Sequence, residues 1–121
     1  MCNHELFTSK IWISLRKGVF ECFDPCHIIY IQAVDHYMKI NLSTEDHFML
    51  KDSLSSFYEE HLKDYKNFYR LSRTYIINLN KVKRIEGSNL YLENGIYLPI
   101  PQNKKVDVLG ILGINKSQLK I

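Results

Sequence analysis

Short segments in which apolar and polar residues alternate occupy most of the chain, and they constrain the fold more than any other feature. Near the N-terminus, Ile11, Ile13 and Leu15 share one side of an extended chain, whereas Trp12 and Ser14 share the other. Alternation with a period of two is typical of β-strands. Such segments, together with runs of β-branched and aromatic residues, predict about eight to ten short strands. They cover residues 11–15, 19–23, 28–34, 37–42, 47–50, 69–78, 82–86, 90–92 and 96–98.

Two segments change to a helical period. Apolar residues between positions 51 and 65 fall on one face of a helix, and Asp52 or Ser53 can cap its start by accepting backbone N–H groups. A second, short helix is predicted over residues 103–112, with its apolar face at Val106, Leu109 and Leu112. The order of elements indicates one mainly β domain over residues 1–121, with a core from about 11 to 112. It lacks the paired helices of a helix-turn-helix protein.

Charge is distributed unevenly along the chain, although the net charge of +3 decides little by itself. Residues 66–84 contain six basic residues and no acidic one, whereas residues 35–64 contain seven acids against three lysines. This asymmetry is compatible with one basic face that binds a polyanion, and equally with a solvated basic surface. No apolar run approaches the roughly 20 residues needed to span a bilayer, and no signal peptide is recognised, so we expect a cytoplasmic protein.

The sequence offers little for catalysis or metal binding. Cys22, Cys26 and His27 do not have the spacing of a standard zinc site, and no second ligand pair follows them. Glycine-rich phosphate loops, nucleophile elbows and paired-histidine zinc motifs are also absent from the sequence. We therefore predict that the protein is not an enzyme and that it needs no metal or cofactor.

Polar side chains suited to nucleic acids are concentrated between positions 70 and 74. The planar guanidinium groups of Arg70 and Arg73 can each donate two hydrogen bonds to a guanine edge. The hydroxyls of Ser72 and Thr74 suit phosphate oxygens. An ordinary polar strand face explains the same residues equally well, so chemistry alone leaves both interpretations open. In a regular strand Arg70, Ser72 and Thr74 would share one face and Arg73 would point the other way, whereas a bend would project Arg73 from a strand end. Arg70 has a structural alternative, in which its guanidinium binds a carboxylate or carbonyl of the protein.

The order of several motifs, from about residue 11 to residue 112, resembles the LytTR family of bacterial transcription regulators. The segment with the core motif of that family reads Phe68, Arg70, Ser72, Arg73, Thr74, Ile77 and Asn78. The family's preceding strand pair is similar to residues 28–33 and 37–40, and its helix to residues 53–62. Its final hairpin is similar to residues 93–100, around an Asn-Gly turn.

The resemblance implies an elongated stack of small antiparallel β-sheets with one mid-chain helix and a short C-terminal helix. It also implies double-stranded DNA binding through loops 35–37, 72–74 and 101–105, which would enter successive major grooves. The DNA-contacting residues carried over or inferred nearby are His36, Tyr37, Arg70, Ser72, Arg73, Thr74, Asn78, Lys81, Gln102, Asn103, Lys104 and Lys105. We expect promoter DNA with direct repeats as the partner and a monomer in free solution. The chain is either a stand-alone regulator or the output half of a longer protein, and the second alternative places a receiver domain or regulator partner outside this chain.

Two positions depart from the family pattern, because Ser72 replaces a frequent histidine and Pro101-Gln102 replaces Ser-Arg. They leave open an alternative in which the domain has weakened DNA contacts and binds another protein. A third possibility is single-stranded nucleic acid, for which Tyr69, Tyr91 and Tyr97 could offer stacking faces.

Overall fold

The computed structural model describes residues 10–114 of the chain. Within that range ten strands and two short α-helices are present. The strands are β1 Ile11–Arg16, β2 Val19–Phe23, β3 Ile28–Val34, β4 Tyr37–Leu42, β5 His47–Leu50, β6 Phe68–Arg70, β7 Tyr75–Asn78, β8 Val82–Glu86, β9 Asn89–Leu92 and β10 Tyr97–Pro99. The helices are α1 Leu54–Phe57 and α2 Lys105–Ile111. None of the helices in this range is long and apolar enough to cross a membrane.

Three antiparallel sheets form layers. The central sheet has five strands in the order β5-β4-β3-β7-β6, with β3 in its middle. Strands β1 and β2 form a two-stranded sheet, and β8, β9 and β10 form a three-stranded sheet. This mainly β stack of small antiparallel sheets confirms the predicted fold class.

The central sheet separates two hydrophobic cores, which explains why β3 is apolar on both faces. One core contains Ile31 and Ile40 from the central sheet, Ile13 from β1 and Phe57 from α1. The other core contains Ile29 and Ile77 from the central sheet, together with Leu90 of β9 and Val108 of α2. A strand covered on both faces favours a continuous apolar run over strict alternation, and residues 28–31 supply it.

Helix α1 is shorter than its sequence pattern predicted. The predicted cap is confirmed at Ser53, whose Oγ accepts a hydrogen bond of 3.1 Å from the backbone N–H of Ser56. After Phe57 the chain widens into a π-helical turn, Tyr58–Leu62. Phe57 and Leu62 lie five positions apart, which is the spacing that a π-helical hydrogen bond spans, and both are almost fully buried. The wider turn therefore keeps both side chains in the same core.

Helix α2 exposes a residue that the sequence pattern placed in its apolar face. It is preceded by a 3-10 turn, Gln102–Lys104, and the side chain that it buries completely is that of Val108. Val106 is 84% exposed, so its predicted core position is wrong. The helix has only two turns and packs against the second core mainly through Val108, with Leu112 partly buried beside it.

Candidate nucleic-acid interface

A tight turn interrupts the segment that the sequence predicted as one strand over residues 69–78. Strands β6 and β7 form a hairpin in which the backbone N–H of Leu71 donates to the Tyr75 carbonyl at 2.9 Å. The Ser72 hydroxyl accepts hydrogen bonds from the backbone N–H groups of Thr74 at 3.1 Å and Tyr75 at 3.3 Å. Serine side chains commonly stabilise turns in this way. The result is a compact tip at which the Arg73 side chain is exposed.

The Arg70 side chain donates hydrogen bonds to the backbone of the same hairpin tip. Its Nε donates to the Ser72 carbonyl at 2.6 Å, and one terminal nitrogen donates to the Arg73 carbonyl at 3.4 Å. The other terminal nitrogen donates to Ser55 Oγ of α1 at 3.1 Å. Burial lowers the pKa of the Arg70 guanidinium. This side chain is therefore occupied within the protein.

A second hairpin tip emerges at the same end of the central sheet. Asp35 adopts a left-handed backbone conformation, with a φ of 55°, and turns the chain from β3 into β4. His36 and Tyr37 are exposed beside it. Strand β3 lies between β4 and β7, and the Ala33 N–H donates to the Thr74 carbonyl at 2.8 Å. Loops 35–37 and 72–74 are consequently neighbours.

The third loop lies beside the β6–β7 tip. An open cavity of about 400 Å³ separates the two, and its lining residues are Arg70, Leu71, Ser72, Arg73, Pro101, Asn103 and Lys104. The Lys104 ammonium lies 5.7 Å from the centre of the Tyr69 ring, within the range of a cation–π contact. Cationic groups of two loops therefore contribute to one concave surface.

Tyr69 connects β6 to α2. Its hydroxyl donates a hydrogen bond of 2.7 Å to Oδ2 of Asp107. Burial, and then the hydrogen bond and charge of Asp107, raise the pKa of Tyr69 to about 12. The phenol accordingly stays protonated at neutral pH and can hold the start of α2 against the central sheet.

Comparison with known proteins identifies this arrangement. The family model described as the LytTr DNA-binding domain matches residues 20–113 of the chain. The chain belongs to the LytTR family. The function of this LytTR domain is therefore DNA binding in transcription regulation, and the family is defined by DNA binding rather than by catalysis. The family predicted from the sequence motifs is confirmed.

A solved structure agrees with the family match. The chain is 26% identical to the LytTr DNA-binding domain of a Bacillus cereus protein described as a "methyl-accepting/DNA response regulator". The match has a TM-score of 0.67 and covers 87% of this chain and 99% of the other. No curated protein matches the chain.

Most of the predicted contact residues of this LytTR domain lie on the three neighbouring loops. The exposed or partly exposed ones are His36, Tyr37, Ser72, Arg73, Thr74, Gln102, Asn103 and Lys104. Three other predicted contact residues, Arg70, Lys81 and Lys105, bind partners within the protein. Arg70 is bonded to its own loop, and Lys81 pairs with Glu93 at 3.2 Å with its side chain only 16% exposed. Lys105 donates to the Gly87 carbonyl at 2.5 Å, so its ammonium points to the β8–β9 turn.

Asn78 has a structural position, which corrects its assignment as a DNA contact. It is 0% exposed, and its Nδ2 donates to the Ile28 carbonyl at 2.8 Å. Its Oδ1 accepts from the Asn80 N–H and from the Asn67 side chain, each at 3.0 Å. A side chain with these partners is enclosed in the fold and connects β7 to β3.

Sequence reasoning missed two residues that support the loops. Ser55 of α1 bonds to Arg70, and Asp107 of α2 bonds to Tyr69. Both partners are far away in the chain, so no local pattern could indicate them. The sequence offers Tyr69 either as a stacking face for bases or as a residue packed between strands, and in the structure Lys104 lies over its ring. Tyr91 is likewise covered, by Arg84 at 4.3 Å and by the Tyr97 ring at 5.2 Å.

Proposed function

We propose that this domain binds double-stranded promoter DNA in a sequence-specific manner, with side chains on its three loops entering successive major grooves. The observation that carries the proposal is the exposed Arg73 on a hairpin tip whose backbone is held by Ser72 and Arg70. A side chain can discriminate bases only if its backbone is fixed relative to the duplex. The neighbouring loops 35–37 and 101–105 supply further polar groups at the same end of the sheet.

Within this proposal Arg73 reads a base edge and its neighbours contact the DNA backbone. The Ser72 hydroxyl already accepts two hydrogen bonds inside the turn, so its main contribution is to shape the loop. Thr74, Asn103 and Lys104 are the more suitable phosphate contacts, because hydroxyl, amide and ammonium groups all donate to phosphate oxygens. His36, Tyr37 and Gln102 remain candidates for contacts with bases or with phosphates.

The first experiment selects the preferred site from a library of random duplexes and then measures affinity by fluorescence anisotropy. Binding is expected to weaken with salt, with a log–log slope of about −0.9 for each phosphate neutralised. Single-stranded DNA serves as the comparison ligand. A folded domain without salt-sensitive duplex binding would favour the alternative, a LytTR-like module that binds another protein.

The second experiment tests the role of Arg73. A bidentate base contact contributes about 1–3 kcal/mol of discrimination, so Arg73→Ala should lower affinity for the selected site by about fivefold to 150-fold while sparing non-specific binding. Arg73→Lys should restore little, because an ammonium lacks the planar fork. Arg84→Ala is the matched control, since Arg84 is an exposed arginine on β8 that pairs with Glu86. A folded Arg73→Ala protein with the wild-type ratio of specific to non-specific affinity would contradict the assignment.

The proposed function also includes an arrangement on the DNA and a regulatory partner. A monomeric domain would occupy each of two direct repeats on one face of the DNA. A receiver domain or regulator partner in the cytoplasm would control its access to the promoter.

A further inference from the structure

The guanidinium of Arg70 lies between the hairpin tip and helix α1, and it has acceptors on both sides. Two of its nitrogens donate to the carbonyls of Ser72 and Arg73, at 2.6 and 3.4 Å. The third donates to Ser55 Oγ at 3.1 Å. One side chain thus connects the carbonyls on both sides of the Arg73 Cα atom to helix α1.

Helix α1 is a firm anchor for that connection. Two of the four residues of this helix, Leu54 and Phe57, are only 3% and 1% exposed and pack in the first core. Ser53 caps its start through a hydrogen bond to Ser56 N. The position of the Ser55 hydroxyl is therefore set by the core, although Ser55 itself is exposed.

We propose that Arg70 is a positioning residue for base reading, and that Ser55 is the anchor through which the core fixes the Arg73 backbone. The inference rests on the proposed function, in which Arg73 contacts a base edge. A side chain that must meet a base in a bidentate geometry tolerates little displacement of its own backbone. The carbonyls that Arg70 holds belong to Arg73 itself and to the residue before it, which makes this side chain the direct determinant of that backbone.

Arg70→Lys is the main variant because it keeps the charge and most of the apolar stem. A lysine ammonium is a compact point charge and does not reproduce the fork that reaches two carbonyls and a hydroxyl together. We expect affinity for the selected duplex to fall about tenfold, near the lower limit for loss of one bidentate contact. Affinity for a scrambled duplex should be unchanged, since phosphate attraction depends on the retained charge.

A double-mutant cycle distinguishes a positioning role of Arg70 from a merely structural one, because only a positioning role changes the cost of Arg73→Ala. If Arg70 acts through Arg73, Arg73→Ala should cost much less in the Arg70→Lys background than in the wild type. Ser55→Ala should produce a smaller loss of specific affinity, up to about fivefold, which corresponds to one hydrogen bond. Ser56→Ala is its matched control, because Ser56 lies on the same helix and contributes only its backbone N–H to the cap.

The possible outcomes separate this inference from the proposed function. Coupling between positions 70 and 73, with a loss for Ser55→Ala and none for Ser56→Ala, supports the inference. Additive effects of Arg70→Lys and Arg73→Ala, in a protein that prefers its selected site, overturn the inference and leave the proposed function intact. A wild-type protein that shows no preference between selected and scrambled duplexes overturns both. If Arg70→Lys does not fold, equal affinities of the Ser55→Ala and Ser56→Ala proteins overturn the inference.

Discussion

Replacing Asn78 with alanine is expected to destabilise the fold while leaving the DNA specificity of the folded protein unchanged. The substitution removes the Nδ2 donor of the Ile28 carbonyl and the Oδ1 acceptor of the Asn80 and Asn67 N–H groups. Ile28 is 0% exposed, so its carbonyl would lose its side-chain partner in a place that water does not reach. Leaving such a group unsatisfied costs about 1–3 kcal/mol, and each of the other two bonds contributes about 0.5–1.5 kcal/mol.

The free energy of unfolding should therefore fall by about 2–6 kcal/mol. With a urea dependence of about 2 kcal/mol per molar, the middle of the range for small proteins, the unfolding midpoint should drop by roughly 1–3 M. The measurement is urea unfolding followed by circular dichroism, with Asn80→Ala as the control, because the Asn80 bond to Asn78 uses only the backbone N–H. A midpoint for Asn78→Ala no lower than that of the control would refute the reasoning.

Asn78→Asp gives a second, pH-dependent test of the same site. The new carboxyl can still accept from Asn80 and Asn67, but only its protonated form can donate to the Ile28 carbonyl. Burial beside a carbonyl raises the pKa of a carboxyl in the folded state above its unfolded value. The stability contributed by the protonated form is then fully present below the unfolded pKa and lost as pH rises through the folded one. Relative to wild type, this variant should become less stable with rising pH, and a constant difference would argue against a direct bond to Ile28.

Two further predictions concern Tyr69 and the state of the free domain. Because the pKa of Tyr69 is raised to about 12 from 10.0, the stability that its protonated form contributes is complete below pH 10 and is lost as pH rises towards 12. The melting temperature of wild type should exceed that of Tyr69→Phe at pH 9, with the gap closing by pH 12; a gap that does not change would exclude the hydrogen bond to Asp107 as its cause. Sedimentation should show a monomer without DNA, since the two helices within residues 10–114 are too short for a coiled-coil seam, and a tight dimer would contradict this.

The strand content of the fold could be predicted because it depends on local alternation, which is visible in any short window of sequence. The cap at Ser53 and the Asn94-Gly95 hairpin could be predicted for the same reason: the interactions that make them span only a few residues. Helix α1 was predicted in the right place but too long, since the π-helical turn depends on how Leu62 fits into the core.

The features that escaped prediction depend on contacts between distant residues. The β6–β7 turn is an exception, because the hydrogen bonds of Ser72 and Arg70 that form it span only two or three residues, and the sequence left a bend at Arg73 open beside one continuous strand. Asn78 was interpreted as a DNA contact because its burial depends on the carbonyl of Ile28, 50 positions earlier. Helix α2 packs through Val108 in place of Val106, and the residues of the core that Val108 joins, such as Leu71 and Leu90, lie far from it in the chain.

The pairing of β3 with β7 has a consequence for how the chain is made. Tyr30 pairs with Ile77, so β3 has only β4 as a neighbour until β7 has left the ribosome. During that interval the free edge of a largely apolar strand is accessible to other chains, and such edges promote aggregation. Chains that stop before β7 should accumulate in inclusion bodies. Slow synthesis between β5 and β7 would lengthen the period of exposure, and a chaperone that covers apolar edges would shorten it.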